Sequence, residues 1–296
     1  MDNTFRVDGM VAVVTGGGTG IGFFMAKALA SAGAKKVYIL ARRKEVLDEA
    51  AKAHESLHPL VCDVASKESL QAAVDTITKE SGYVNLVIAN SGVLGPAARF
   101  HPDSSVSDLK KRLFDEVSMD NFSQTMNINV TGAYFTMLAF LELLDAGNEN
   151  ARKGGGFGAP LTAGSTVPSI QSQVLFISSI SAYSRAYISA PSYSASKAAI
   201  EHLAKHASTN LARYGIRVNA MAPGLFPSEL ALVNIQGRDP SKEDPSELRF
   251  ISAQRFGGEE EMAGTVLYLA SRAGAYCNGL VLVNDGGKLS TMPSSY

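Results

Sequence analysis

The chain reads as an α/β protein, one doubly wound domain over residues 1–296 with a seven-stranded parallel sheet covered by helices on both faces. Three observations point there. From Met10 onward, short β-rich runs alternate with longer helical ones, the pattern of parallel strands joined by crossover helices. The short runs are apolar throughout rather than at every second residue, as strands are when both faces are covered. A glycine-rich turn follows the first run directly and opens a helical stretch.

In chain order the strands are "MVAVV" (10–14), "KVYIL" (36–40), "PLVCD" (59–63), "LVIAN" (86–90), "VLFIS" (174–178), "RVNAM" (217–221) and "LVLVN" (280–284). Helices are expected near 20–33, 44–54, 66–81, 120–146, 192–214 and 258–271. Two stretches break the rhythm. Residues 145–173, dense in Gly, Pro and Ser, are expected to form a flexible surface loop, and residues 225–252, polar and proline-bearing, a substrate lid. No internal repeat is visible.

Composition narrows the function classes. With 296 residues, 46% of them hydrophobic, the chain can bury a large core without disulfide or metal staples. Lys+Arg 27 against Asp+Glu 28, with no basic stripe, argues against nucleic acid, whose binding is driven by clustered cations that release counterions. Cys62 and Cys277 fit no metal or redox spacing, so a reduced, cytoplasmic setting is expected. The N-terminal "MDNTFRVDGM" lacks the apolar stretch of a secretory signal, and no run of about eighteen apolar residues occurs, so no membrane partner is expected.

"VAVVTGGGTGIGFFMAKALA" (11–30) is strand, glycine turn and helix in succession. Such a turn lets the backbone approach a pyrophosphate, held by free amides and the positive end of the helix. A mere tight turn is the plainer alternative, and the strand before and helix after weigh against it. After the second strand, an acid would bond the adenosine ribose 2′-hydroxyl and a base would neutralise a 2′-phosphate. Here Ala41 takes the acid's place and Arg42 and Arg43 follow, so NADP(H) is expected over NAD(H). "VCDV" (61–64) offers Asp63, next to Val64, as an acceptor for the adenine amino group or else as a helix N-cap. "ANSG" (89–92) ends the fourth strand with Asn90, Ser91 and Gly92, and the cofactor is expected across these carboxyl ends.

"PSYSASKAAI" (191–200) sets Tyr193 and Lys197 four residues apart, neighbours on one helix face. An ammonium that close favours the phenolate and lowers the tyrosine pKa from about 10, as a general acid or base near neutral pH requires. On its own such a pair is usually a solvated helix face. The preceding "VLFISS" ends in serines, and a hydroxyl there would bond a substrate oxygen and orient it towards the phenol.

These segments together resemble a short-chain dehydrogenase/reductase over nearly the whole chain: "TGGGTGIG" (15–22) is similar to that family's TGxxxGxG, "YSASK" (193–197) to its YxxxK, and "ISS" (177–179) to its serine motif. "NINVTG" (127–132), "APG" (222–224) and "NDGG" (284–287) fit too. The resemblance implies a Rossmann-type sheet and assigns roles. Tyr193 is the catalytic acid/base, Lys197 lowers its pKa and bonds the nicotinamide ribose, Ser179 positions the carbonyl, and Asn129 holds a water in a proton relay or else is a helix-bending asparagine packed on the sheet. Gly16, Gly20 and Gly22 cradle the pyrophosphate beside Gly18, Thr19 and Ile21, while Pro223, Gly224, Phe226 and Ser228 border the nicotinamide. A homodimer or homotetramer follows by resemblance alone, since the helix carrying "AYFTMLAFLELL" (133–144) often packs on its copy in that family.

The sequence departs from the family in places. "ANSG" replaces the usual NNAG, and Ser179 lies fourteen residues before Tyr193 where thirteen is common, which leaves Ser178 and Ser181 as competitors. "PGLFPSEL" (223–230) resembles reductases of rhamnolipid and other 3-oxoacyl pathways. The expected activity is NADPH-dependent reduction of a ketone to a secondary alcohol, or the reverse. The expected partner is a small carbonyl compound such as a 3-oxoacyl thioester, a polyketide-like ketone, or a polyol or sugar ketone. A non-catalytic NADP(H) sensor is the rival, disfavoured because a sensor needs only the glycine loop; a glycine-loop methyltransferase has no use for the Tyr/Lys pair. His202 and His206 lack a third ligand, so no metal is expected, and "GEEEMAG" (258–264) reads as a helix start.

Overall fold

Runs of Val, Ile and Leu too short for helices, each ending at a glycine, a polar residue or a proline, form the strands of a computed structural model that describes residues 3–296. The strands are β1 Val11–Thr15, β2 Lys36–Ala41, β3 Leu57–Val61, β4 Leu86–Ala89, β5 Gln173–Ile177, β6 Arg217–Pro223 and β7 Val281–Asn284. All pair in parallel, in the order β3-β2-β1-β4-β5-β6-β7. The winding therefore reverses between β1 and β4.

The helices are α1 Gly20–Ser31, α2 Lys44–Ala51, α3 Lys67–Glu80, α4 Val106–Lys110, α5 Met119–Met126, α6 Ala133–Ala139, α7 Leu141–Arg152, α8 Pro191–Leu211, α9 Leu232–Ile235 and α10 Glu259–Ala270. The strand pleat explains the continuous apolar runs. Ala12 and Val14 face a core layer containing Met25 and Leu29 of α1, Leu47 of α2 and Val266 of α10. Val11 and Val13 face the other layer, with Ile77 of α3, Met137 of α6, Leu144 of α7 and Ile200 of α8. Among the described residues no single helix is long and apolar enough to cross a membrane.

Several boundaries differ from the sequence reading for identifiable reasons. β3 begins at Leu57 and contains Pro59; as an edge strand it loses no ladder bond to the missing N–H. The single helix expected over 120–146 is three helices: a π-helical stretch Asn127–Gly132 interrupts it, and α7 departs by 44° after Phe140. α7 then continues to Arg152, so the segment expected to loop from 145 opens with two helical turns. Beyond Gly154 that segment buries Phe157 and Ile170 against the core. α4, capped by Ser105 accepting from the Asp108 amide, carried too short an apolar signal to be read.

Phe176, the fourth residue of β5 and fully buried, is among the largest side chains in the second layer. Phe176→Ala is expected to lower the free energy of unfolding by about 3–5 kcal/mol in a urea titration; a loss below ~1 kcal/mol would mean this layer repacks freely.

Candidate active site

The glycine turn lies at the end of β1, where the winding reverses. Thr19 is the N-cap of α1 yet its side chain caps nothing, and the first turn holds no acid. The leading amides of α1 are thus left to an incoming anion. A Cβ at Gly22 would stand 2.2 Å from the Gly16 carbonyl oxygen, and one at Gly20, whose φ is +53°, would stand 2.8 Å from Ser228 Cβ. The turn can close this tightly only with glycine at both positions, and the surface it leaves is bare backbone, as a pyrophosphate requires. Asn90 braces it from β4, its amide donating to the Thr15 (2.9 Å) and Gly16 (3.3 Å) carbonyls. The Thr15 hydroxyl accepts from the Asn90 (2.9 Å) and Ser91 (3.1 Å) amides. Thr15 was not singled out from sequence, although it is the first letter of the glycine motif.

Beyond β2, Arg42 is exposed and has no ion pair among the described residues, whereas Arg43 is held bidentately by Glu229 at 2.9 and 3.1 Å. Asp63 lies two residues past β3; its carboxylate accepts from the Ala65 amide at 3.0 Å, while Ser66 is the N-cap of α3. The helix-cap alternative for Asp63 is therefore not what its side chain does. Val64 is buried behind it against Gly132.

Pro191 at the first position of α8 fixes where that helix starts and so where Tyr193 and Lys197 stand. Lys197, 4% exposed, donates from Nζ to the Ile177 carbonyl at 2.8 Å, and Nζ lies 5.5 Å from the centre of the Tyr193 ring. The serines after β5 divide cleanly. Ser178 turns into the core, its hydroxyl within bonding reach of the Lys197 carbonyl (3.0 Å) and the Glu201 carboxylate (2.9 Å), whereas the Ser179 hydroxyl lies on the Tyr193 side, where it acts to lower the phenol's pKa. Ser181 donates its amide to Ser179 Oγ at 3.1 Å. Asn129, 1% exposed in the π-helical stretch, accepts from the Val93 amide (2.8 Å) and donates to the Val93 carbonyl (2.9 Å) and Ser196 (3.0 Å). Its side chain is committed to these rather than to Lys197, and Gly92 sits at the junction of Asn129 and Lys197.

Electrostatics departs from the sequence reading. Burial pushes the Tyr193 hydroxyl up to about 12, with Ser179 pulling weakly the other way, and pushes Lys197 down to about 8. Desolvation is the leading cause of both shifts in the cofactor-free protein. Glu201, one turn beyond Lys197 and overlooked from sequence, is also raised by burial.

Residues 225–252 wall a cavity of about 380 Å³ that opens onto Ser179 and Tyr193. Pro223, Gly224, Phe226, Ser228 and Ile21 border it, so the expected nicotinamide neighbours and the catalytic candidates share one space. Arg238 fixes the wall through Glu243 (2.7 and 2.9 Å) and the Arg249 carbonyl (2.8 Å). Among the described residues no three His, Cys, Asp or Glu converge as metal ligands, and the acids of α10 cap it, Glu261 accepting from the Gly258 amide at 2.8 Å.

The buried ammonium makes a pH prediction. Lys197 titrates at about 8 in the fold against 10.5 in the open chain, so between these values the unfolded state binds more protons and stability rises with pH. The penalty is full below pH about 8 and fades towards 10.5. Chemical denaturation of the cofactor-free protein across this window is expected to show that rise, and Lys197→Met a smaller one, the remainder coming from Lys288, which burial also pushes down to about 8; identical slopes would refute the assignment.

Comparison with known proteins identifies the family. The profile described as short chain dehydrogenase matches residues 10–155, and that described as enoyl-(acyl carrier protein) reductase matches residues 159–288. The short-chain dehydrogenase/reductase SAT3 of Stachybotrys chartarum is 64% identical over 273 residues, covering 92% of this chain and all of that protein. The Pseudomonas aeruginosa RhlG/NADP active-site complex superposes with a TM-score of 0.76 at 27% identity, covering 97% of this chain and 99% of that one. A gluconate 5-dehydrogenase from Burkholderia cenocepacia in complex with NADP and tartrate gives 0.75 at 26%, covering 97% and 98%. With its reversed winding, bare glycine turn and paired Tyr193 and Lys197, the chain is an oxidoreductase that belongs to the short-chain dehydrogenase/reductase family.

Proposed function

We propose that the protein reduces a ketone to a secondary alcohol with NADPH, Tyr193 supplying the proton. The observation that carries this is the shared cavity, which Tyr193 and Ser179 line together with the residues that border the nicotinamide site. The amides opening α1, the bare backbone at Gly16, Gly20 and Gly22, and the exposed guanidinium of Arg42 would hold the cofactor, which when bound supplies the hydride. The remaining work belongs to the chain. Ser179 orients the carbonyl oxygen, and Tyr193 gives its proton to that oxygen as negative charge grows on it. A phenol held near 12 is protonated at neutral pH, the state reduction needs. Lys197, anchored on the Ile177 carbonyl, keeps a cation beside the ring to stabilise the phenolate left behind.

NADP(H) is favoured by Ala41 in the acid's place, by the free Arg42, and by NADP in the complexes of two structural neighbours. Exposed Val106, Phe114 and Met119 around α4 and α5 support assembly into a homo-oligomer, and two unpaired cysteines support a reducing, cytoplasmic setting.

Tyr193→Phe is expected to bind NADPH with little change while reduction of a ketone panel, followed by NADPH absorbance, falls by about 10²–10⁴-fold; an undiminished rate would end the assignment. Arg42→Asp is expected to move the NADPH/NADH preference in kcat/KM at least about tenfold towards NADH, since it replaces a phosphate partner with a ribose hydroxyl acceptor. An unchanged ratio would refute the phosphate reading.

A further inference from the structure

The cavity beside Tyr193 is lined by four cationic residues, Arg99, Arg238, Arg249 and Lys288, and by no aspartate or glutamate. Three of the four already have partners. Arg238 is paired with Glu243, Arg249 with Glu247, and the Lys288 ammonium donates to the carbonyls of Leu248 and Phe250. Arg99 is different. It has no ion pair among the described residues, its single hydrogen bond is Nη2 to Asn234 Oδ1 at 3.3 Å, and its Nε is buried with no partner at all. A guanidinium carries five donors, and apart from the bond to Asn234 this one makes no hydrogen bond among the described residues, in a cavity whose lining also includes Leu94, Ile188, Leu230 and Met292. Arg99 is half-buried with its Nε shut off from water, and a buried donor left without a partner in a substrate cavity indicates what completes it.

We infer that Arg99 is a specificity-determining residue that binds a carboxylate on the substrate, so that the ketone reduced is a keto acid. The inference rests on the reductase reading above and narrows its substrate class. A planar carboxylate matches the fork of one guanidinium, whereas phosphate is ordinarily held by several donors or a helix start, and only Arg99 is free here. The cavity, about 380 Å³ and bordered by the nicotinamide neighbours Ile21 and Phe226, leaves room for a compact acid rather than a long chain. Asn234 Oδ1 holds the Arg99 side chain in place until the acid arrives.

The test compares keto acids with their neutral methyl esters, levulinate with methyl levulinate and acetoacetate with methyl acetoacetate, by NADPH consumption. The wild type is expected to favour the acid at least about tenfold in kcat/KM, mainly through KM, and Arg99→Gln to cut that ratio about tenfold or more, the worth of hydrogen bonds to a charged group. Arg99→Lys is expected to keep part of the preference. Esters reduced as well as acids by the wild type, or a ratio unchanged in Arg99→Gln, would overturn the inference. Reduction of the esters and its loss in Tyr193→Phe test the reductase reading separately. A binding arm needs no turnover: malonate is expected to raise the melting temperature of the NADP-saturated wild type and not of Arg99→Gln. No shift in the wild type, or a larger Arg99-dependent shift with inorganic phosphate, would overturn the carboxylate assignment.

Discussion

The structure depends first on the seam between β1 and β4. Crossovers leave these two neighbours in opposite directions, so a crevice opens at their carboxyl ends whatever side chains lie there. What the sequence adds is a way to keep the crevice rigid: one hydroxyl, on Thr15, and one carboxamide, on Asn90, cross-bond the two strand ends and hold the glycine turn between them. Ser228, against Gly20, and Glu229, on Arg43, then bring the outer wall down onto the same turn. The cofactor side and the substrate side are thus joined through these contacts and through Phe226, which the wall buries in the core layer beneath α1.

Within that crevice, burial is the dominant electrostatic term. Tyr193 and Lys197 are both held away from their charged forms, and the single carbonyl of Ile177 is the fixed partner of the ammonium. The π-helical stretch and Asn129 serve this arrangement by bringing Val93 and Ser196 into register behind α8, and Ser196 closes the set by donating to the Tyr193 carbonyl at 2.7 Å. The two groups gain their chemical character from surroundings assembled from four separate segments.

That is also why part of the site was legible in the sequence and part was not. Strand number, the glycine turn and the Tyr/Lys spacing are local patterns, and each corresponds to an observed element. The break at Asn127–Gly132 was legible only as the helix-bending alternative for Asn129, because the residue that this side chain bonds, Val93, lies thirty-six positions away. The division of labour between Ser178 and Ser179 is a matter of which way the chain faces on leaving β5, and the spacing to Tyr193 left it open. The direction of the tyrosine shift was misjudged because pair spacing reveals proximity and says nothing of desolvation. Arg99 and Glu201 stand in no motif, and only the fold shows one lining the cavity and the other facing Ser178.

The contact between Arg43 and Glu229 joins the glycine-turn side to the outer wall, yet its side chains are 56% and 60% exposed. An ion pair so open to water contributes roughly 0–1 kcal/mol, and dissolved salt erodes even that. The pair is therefore a latch and not a lock: what seats the wall is the apolar anchor of Phe226 in the core, which dissolved salt does not weaken.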